Sequence, residues 1–167
     1  MLGRNQKDLI TVKDVPASEF ITAYAEHLKK TQKVLPMKNS HFIKTGHYKK
    51  VSPYNEDWFY MRAATLARMV YLRPEIGINT LRKVFGGREN NGNANYHHAL
   101  ASGKVLRYAL QQLEDANVLM RLNDQRNKNN QTLPDKKSKL LPRVITPEGQ
   151  KEVNEIAKQV FIAKYSH

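Results

Sequence analysis

Between Asn55 and Arg73 the chain carries apolar side chains around nearly the whole circumference of a helix. Phe59, Ala63, Leu66 and Val70 recur at helical spacing on one stripe, and Met61 and Leu72 add apolar mass to the far side. A helix of this kind is stable only when neighbours cover it on several sides, which makes it the central helix of a domain. Its arginines are informative for the same reason. Arg62 and Arg73 stand eleven residues apart, so at about 100° per residue they return to nearly the same face. Arg68 points away from the Phe59 stripe. An isolated charge in such a helix is unfavourable unless it is paired or solvated. Either these guanidiniums meet internal carboxylates or backbone carbonyls, or they emerge and grip phosphate bidentately.

The flanking segments supply the cover. Val12–Pro16 introduces a helix of about 16–31, with Pro16 suited to a first turn and Phe20, Tyr24 and Leu28 in one row. Lys33–Ser52 reads as a loop punctuated by Pro36 and Gly46 and carrying Lys38, Lys44, Lys49 and Lys50. Ile78–Phe85 is a short helix stopped by Gly86-Gly87, and Arg88–Asn95 follows as a polar loop. The next helix, about Ala99–Ala116, turns Leu106, Leu110 and Leu113 inward and Lys104, Arg107, Tyr108 and Gln111 outward. Val118–Leu122 is a strand candidate, Asn123–Lys139 is polar and turn-rich, and Leu140–Ile145 is the returning strand with Pro142 at its edge. Thr146-Pro147-Glu148 is a helix start, and Val153, Ile156, Ala157 and Val160 give that last helix its buried face. Helix, helix, strand, turn-rich loop, strand is the order of a winged helix. The expected fold is mainly α, a single winged-helix-like domain over 1–167. Its core is at about 55–165, the 16–31 helix packs on it, and a small two- to three-stranded β wing extends over about 123–142.

Charge narrows the function. Lys and Arg number 28 against 15 Asp and Glu, a net +13, and so basic a domain repels itself unless a polyanion supplies counter-charge. The absence of cysteine excludes disulfides, thiolate metal sites and cysteine nucleophiles. The six histidines show no HExxH spacing, and the glycines of Gly86–Gly92 lack the Lys-Ser/Thr that ends a phosphate loop. No GxSxG or paired-carboxylate pattern occurs, so neither catalysis, a metal nor any other cofactor is expected, nor a small-molecule substrate. No apolar run of about 18 residues would span a membrane, and Met1–Lys13 lacks a secretory apolar region. The candidate anion-binding residues are Lys44, Lys49, Arg62, Arg68, Arg73, Arg82, Lys83, Arg88, Lys104 and Arg107, with a further run of cations along the wing.

Five stretches occur in an order that resembles a known family: Thr11-Val-Lys-Asp-Val15, Pro53-Tyr-Asn-Glu-Asp-Trp-Phe-Tyr60 with Arg62-Ala-Ala64, Tyr71-Leu-Arg73, Gly86-Gly-Arg88 and Thr146-Pro-Glu-Gly-Gln150. Together they look like the eukaryotic and archaeal small-subunit ribosomal protein nineteen family, from about residue 11 onward. The resemblance implies a winged-helix core, contact with small-subunit ribosomal RNA and neighbouring ribosomal proteins in the subunit head, and a part in maturing the precursor RNA without catalysis. It also implies cytoplasmic ribosomes as the location, with nucleolar passage in a eukaryote. Arg62, Arg68 and Arg107 fall on family positions whose basic residues matter for fold or RNA binding. Two departures stand out: Ala99-Leu-Ala101 is apolar where the family has a polar, basic turn, and the wing is longer than the family's. A winged-helix DNA regulator is the alternative, with the Ala99–Ala116 helix in a major groove. Basic residues spread over the whole chain favour RNA.

Overall fold

The helix at Asn55–Arg73 forms as α2 (Trp58–Leu72), and it is the centre of the computed structural model, which describes residues 10–122 and 141–165. Phe59, Ala63, Ala64, Leu66, Ala67 and Val70 are all fully buried. The alanines let neighbouring backbones approach closely, while Phe59, Leu66 and Val70 fill the space between elements. α1 (Ala17–Thr31) lies along one side of α2 and buries Phe20, Tyr24, Ala25 and Leu28 against it. Pro16 stands one position earlier than expected, as the cap of α1, and Gln32 ends that helix in a left-handed conformation at φ 50°. A capping box between Thr11 and Asp14 precedes α1 and folds Val12 into the core.

The remaining elements follow winged-helix order. α3 (Ile78–Val84) and α4 (Gly103–Asp115) pack on each other, and α4 reaches α2 through Val105, Leu106, Ala109, Leu110 and Leu113. Strand β3 (Leu119–Arg121) pairs antiparallel with β4 (Arg143–Ile145), Met120 opposite Val144; the labels β1 and β2 belong to the hairpin described below. An isolated bridge from Ile76 to Arg143 occupies the place of a third strand. α5 (Pro147–Tyr165) starts at Thr146, whose hydroxyl accepts from the Gly149 N–H at 2.9 Å and donates to the Asn117 carbonyl at 2.6 Å. One side chain thereby caps α5 and ties it to the turn before β3. The expected extended wing lies, from residue 123 to 140, outside the described residues.

Two expectations are corrected. The stretch expected as a loop at Arg88–Asn95 belongs to a β-hairpin, β1 (Gly87–Asn91) with β2 (Ala94–Ala99). Its polar residues carry no apolar alternation, but Gly92-Asn93 is a two-residue turn, and Gly92 alone takes positive φ, 71°, as a type II′ turn requires. The α4 helix starts at Gly103 rather than near Ala99. Ala99 completes β2, Ala101 bridges to Gly46, and the Ser102 N–H donates to the Thr45 carbonyl at 2.8 Å. The chain cannot enter the helix until those extended pairings end.

One polar contact locks the β3–β4 corner to α4. Arg143 is only 2% exposed, and its Nε donates to Glu114 at 2.8 Å while Arg121 donates to the other carboxylate oxygen at 3.0 Å. Removing one partner from such a buried arrangement strands the other charge. Glu114→Ala is therefore expected to lower unfolding free energy by about 3 kcal/mol in urea titrations. Tyr24 gives the opposite sign. Its ring stacks on Phe20, but its fully buried hydroxyl has no hydrogen-bond partner among the described residues, and burial pushes its pKa far above the ordinary value. Ionisation is disfavoured in the fold, so this residue's contribution is intact below about pH 10 and is lost as pH rises beyond that. Tyr24→Phe is expected to raise stability by about 1 kcal/mol at neutral pH and to remove that alkaline component.

Candidate nucleic-acid interface

Cations divide into two populations. One set is neutralised by carboxylates: Lys29 bonds Asp57 at 2.7 Å, Lys33 bonds Glu152 at 2.7 Å, Lys164 bonds Glu19 at 2.5 Å, and Arg121 and Arg143 share Glu114. None of the ten candidate residues has a carboxylate partner among the described residues.

Three of the ten converge at the start of α4. The Gly46–Ala101 bridge brings the 44–48 loop beside the helix entrance, and the Ala101 N–H donates to the Arg82 carbonyl at 3.1 Å. Arg82 Nε donates back to the Ala101 carbonyl at 3.2 Å, which fixes its side chain over the first turn. A Cβ on Gly103 would lie 3.1 Å from a terminal nitrogen of Arg107 and 3.3 Å from Arg82 Nε, so both guanidiniums pass over this glycine. Lys44, Arg82 and Ser102 line one shallow depression of about 360 Å³. Lys104 is exposed on the same first turn. The partial positive charge of a helix N-terminus adds to this cluster, since Ser102 makes no side-chain cap.

The hairpin extends the basic surface. Arg88 pairs across the strands with His98, and its guanidinium lies 5.5 Å from the Tyr96 ring centre. On the opposite face Glu89 contacts His47 at 3.1 Å, and Gly87 lies against Tyr48, whose hydroxyl donates to the Phe85 carbonyl at 3.0 Å. The hairpin therefore rests one face on the 46–48 loop and leaves Arg88, Tyr96 and His98 outward. Tyr96 and His98, beside Arg88, are absent from the ten expected residues, and His97 lies on the opposite face as the partner of Glu89; the Gly-Asn turn is the signal that could have placed them on a hairpin.

Lys49 and Arg62 form a second group. They line a separate cleft with Phe85, and the Arg62 guanidinium sits 4.4 Å from the Phe85 ring centre. Arg62 is half-buried, and burial lowers its pKa. Among the described residues it meets neither the carboxylate nor the carbonyl that the sequence left open, and it is covered by an aromatic ring instead. Arg68 is half-buried with its Nε lacking a partner among the described residues, and Arg73 is exposed at the end of α2. Neither shares a hydrogen bond, ion pair or ring contact with the two groups among those residues, and Lys83 is exposed in the last turn of α3. Among the described residues no cluster of His, Asp and Glu would hold a metal ion, and no helix is long and apolar enough to cross a membrane.

Comparison with known proteins gives this surface a context. The family model described as ribosomal protein S19e matches residues 11–163. The chain belongs to the ribosomal protein S19e family. Small ribosomal subunit protein eS19 of Entamoeba histolytica is 40% identical over 150 residues, covering 90% of this chain and 86% of that protein. Its counterpart eS19A of Schizosaccharomyces pombe is 39% identical over 148 residues, 89% of this chain and 92% of that protein. In Dictyostelium discoideum the eS19 protein is 39% identical over 155 residues, 93% and 95% of the two chains. The family match spans α1 to α5, so the N-terminal helix and the winged-helix elements fall within one family unit.

Proposed function

We propose that the chain is a structural, non-catalytic component of the small ribosomal subunit that binds ribosomal RNA in the subunit head and supports maturation of the precursor RNA. The names of its relatives support the particle, and the segregation of charge supports the RNA. A domain that spends its carboxylates on one population of lysines and arginines leaves the other uncompensated. Arg82 and Arg107 are held near one another over Gly103, with Lys44 beside Arg82, where their mutual repulsion is relieved by phosphates. Two guanidiniums and an open helix N-terminus make a geometry suited to successive phosphate oxygens. Lys104, Lys83 and Arg88 widen the footprint along α3, α4 and the hairpin. Arg68 and Arg73 belong to the proposed RNA surface as separate contacts at the far end of α2. The ion-paired residues of α1 and α5 are the ones suited to neighbouring ribosomal proteins. The single domain spans the winged-helix core and its N-terminal helix, and its location follows the ribosome, with nucleolar passage in a eukaryotic cell.

Sedimentation tests this reading. On sucrose gradients of cell lysate, the chain is expected to travel with small subunits and to leave them only at high salt. The double variant Arg82→Gln with Arg107→Gln is expected to shift at least half of the chain to the top of the gradient. A wild-type chain found only at the top, in cells with intact small subunits, overturns the proposal.

A further inference from the structure

The cleft that holds Arg62 has a chemistry different from the rest of the basic surface. It is an open recess of about 700 Å³ between α1, α2 and the 45–53 loop, within the size range of small-ligand sites, about 300–1,000 Å³. Its apolar wall is Ile21, Val51, Pro53, Met61 and Phe85, with Trp58 at the N-terminal end of α2, and serine and threonine side chains line the remainder. Among the described residues no acidic side chain lines it, while Lys49 and Arg62 do. The Arg62 guanidinium has no hydrogen-bond acceptor among the described residues, although the side chain is partly buried and its face is covered by Phe85. Trp58 is 7% exposed and contributes only the edge of its ring to the lining, its indole Nε1 being sealed from the cleft. The Arg62 donors stay accessible beside apolar walls, where a charged acceptor bonds them more strongly than in open water. The rim is aromatic and basic as well: Tyr54 is fully exposed, Val51 is 75% exposed, and Lys49 lies 5.4 Å from the Tyr48 ring centre.

An occupant must offer a flat apolar body, hydrogen-bond acceptors and negative charge together. An apolar peptide would leave Arg62 and Lys49 uncompensated, and a paired RNA helix presents phosphates but no free base face. An unstacked nucleotide meets all three requirements. We propose that this cleft is a subsite for a single extruded nucleotide of the bound RNA, its base against Val51, Pro53 and Met61 and its phosphates on Arg62 and Lys49. The proposal deepens the RNA-binding reading above and rests on it.

Two RNA hairpins of equal length and charge supply the probe, one fully paired and one with a single-nucleotide bulge carrying 2-aminopurine. The full chain is expected to bind the bulged hairpin at least about tenfold more tightly at fixed salt, with a change in 2-aminopurine fluorescence on binding. Val51→Asp, at a position exposed enough to leave the fold intact, is expected to abolish both the preference and the fluorescence change. It should retain affinity for the paired hairpin. Lys83→Gln is expected to weaken both hairpins equally. Equal wild-type affinity for the two hairpins, or a preference that survives Val51→Asp, overturns the nucleotide subsite while leaving general RNA binding in place. Failure to bind either hairpin counts against both readings. In assembled particles, a photo-crosslinker at position 51 is expected to capture RNA; capture of a protein neighbour instead overturns the proposal.

Discussion

The burial of α2 is the constraint on which the remaining structure depends. Its side chains are covered by α1 on one flank and by α4 and β4 on others, so none of these three can be displaced without exposing part of the same core. The small residues Ala63, Ala64 and Ala67 set how closely those neighbours approach. A core built on close backbone contact tolerates little added volume. At Gly149 a Cβ would lie 2.3 Å from the Val118 carbonyl oxygen, the same principle at the junction of α5 and β3. This rigidity matters for the proposed function because RNA contacts made by long, flexible cations are specific only when their anchor points do not move.

The anchor points are fixed by pairings that cross the sequence rather than by the helices alone. The 44–48 loop is held by backbone bonds to Ala101 and Ser102, and the hairpin rests on the same loop through Gly87 and Glu89. α3 is connected to α4 through the reciprocal bonds of Arg82 and Ala101. Charge is then sorted by the fold. Carboxylates such as Glu114, Glu152, Asp57 and Glu19 meet cations on α1, α5 and the β3–β4 corner, and the α3–α4 end is left positive.

What could be read in the sequence was whatever rests on local periodicity. α2, α4 and α5 were legible from apolar spacing, and the start of α5 from Thr146-Pro147. The β3 and β4 strands were legible from short apolar runs on either side of a polar stretch. The β1–β2 hairpin was not, because its side chains are polar and its stability comes from backbone pairing and the 46–48 loop beneath it. Nor was the beginning of α4, which is decided by the bridge from Ala101 to Gly46, a contact between distant positions. Among the candidate cations, sequence spacing marked Arg62 as unusual, but the ring of Phe85 that covers it lies on the segment following α3. The convergence of Lys44, Arg82 and Arg107 around Gly103 likewise depends on tertiary contacts that no window of sequence contains.

The central claim is that unneutralised cations, not net charge, carry RNA binding. Two triple variants of equal charge change separate these ideas: Arg82→Gln, Lys104→Gln and Arg107→Gln against Lys29→Gln, Lys33→Gln and Lys164→Gln. The measurement is the salt dependence of affinity for a small-subunit ribosomal RNA fragment. The account predicts that the first triple weakens binding strongly and reduces the slope of log affinity against log salt by up to about 2–3. The second triple is predicted to leave that slope within about 0.5 of wild type, because its lysines are already held by carboxylates. Equal losses of slope in the two triples would contradict the account.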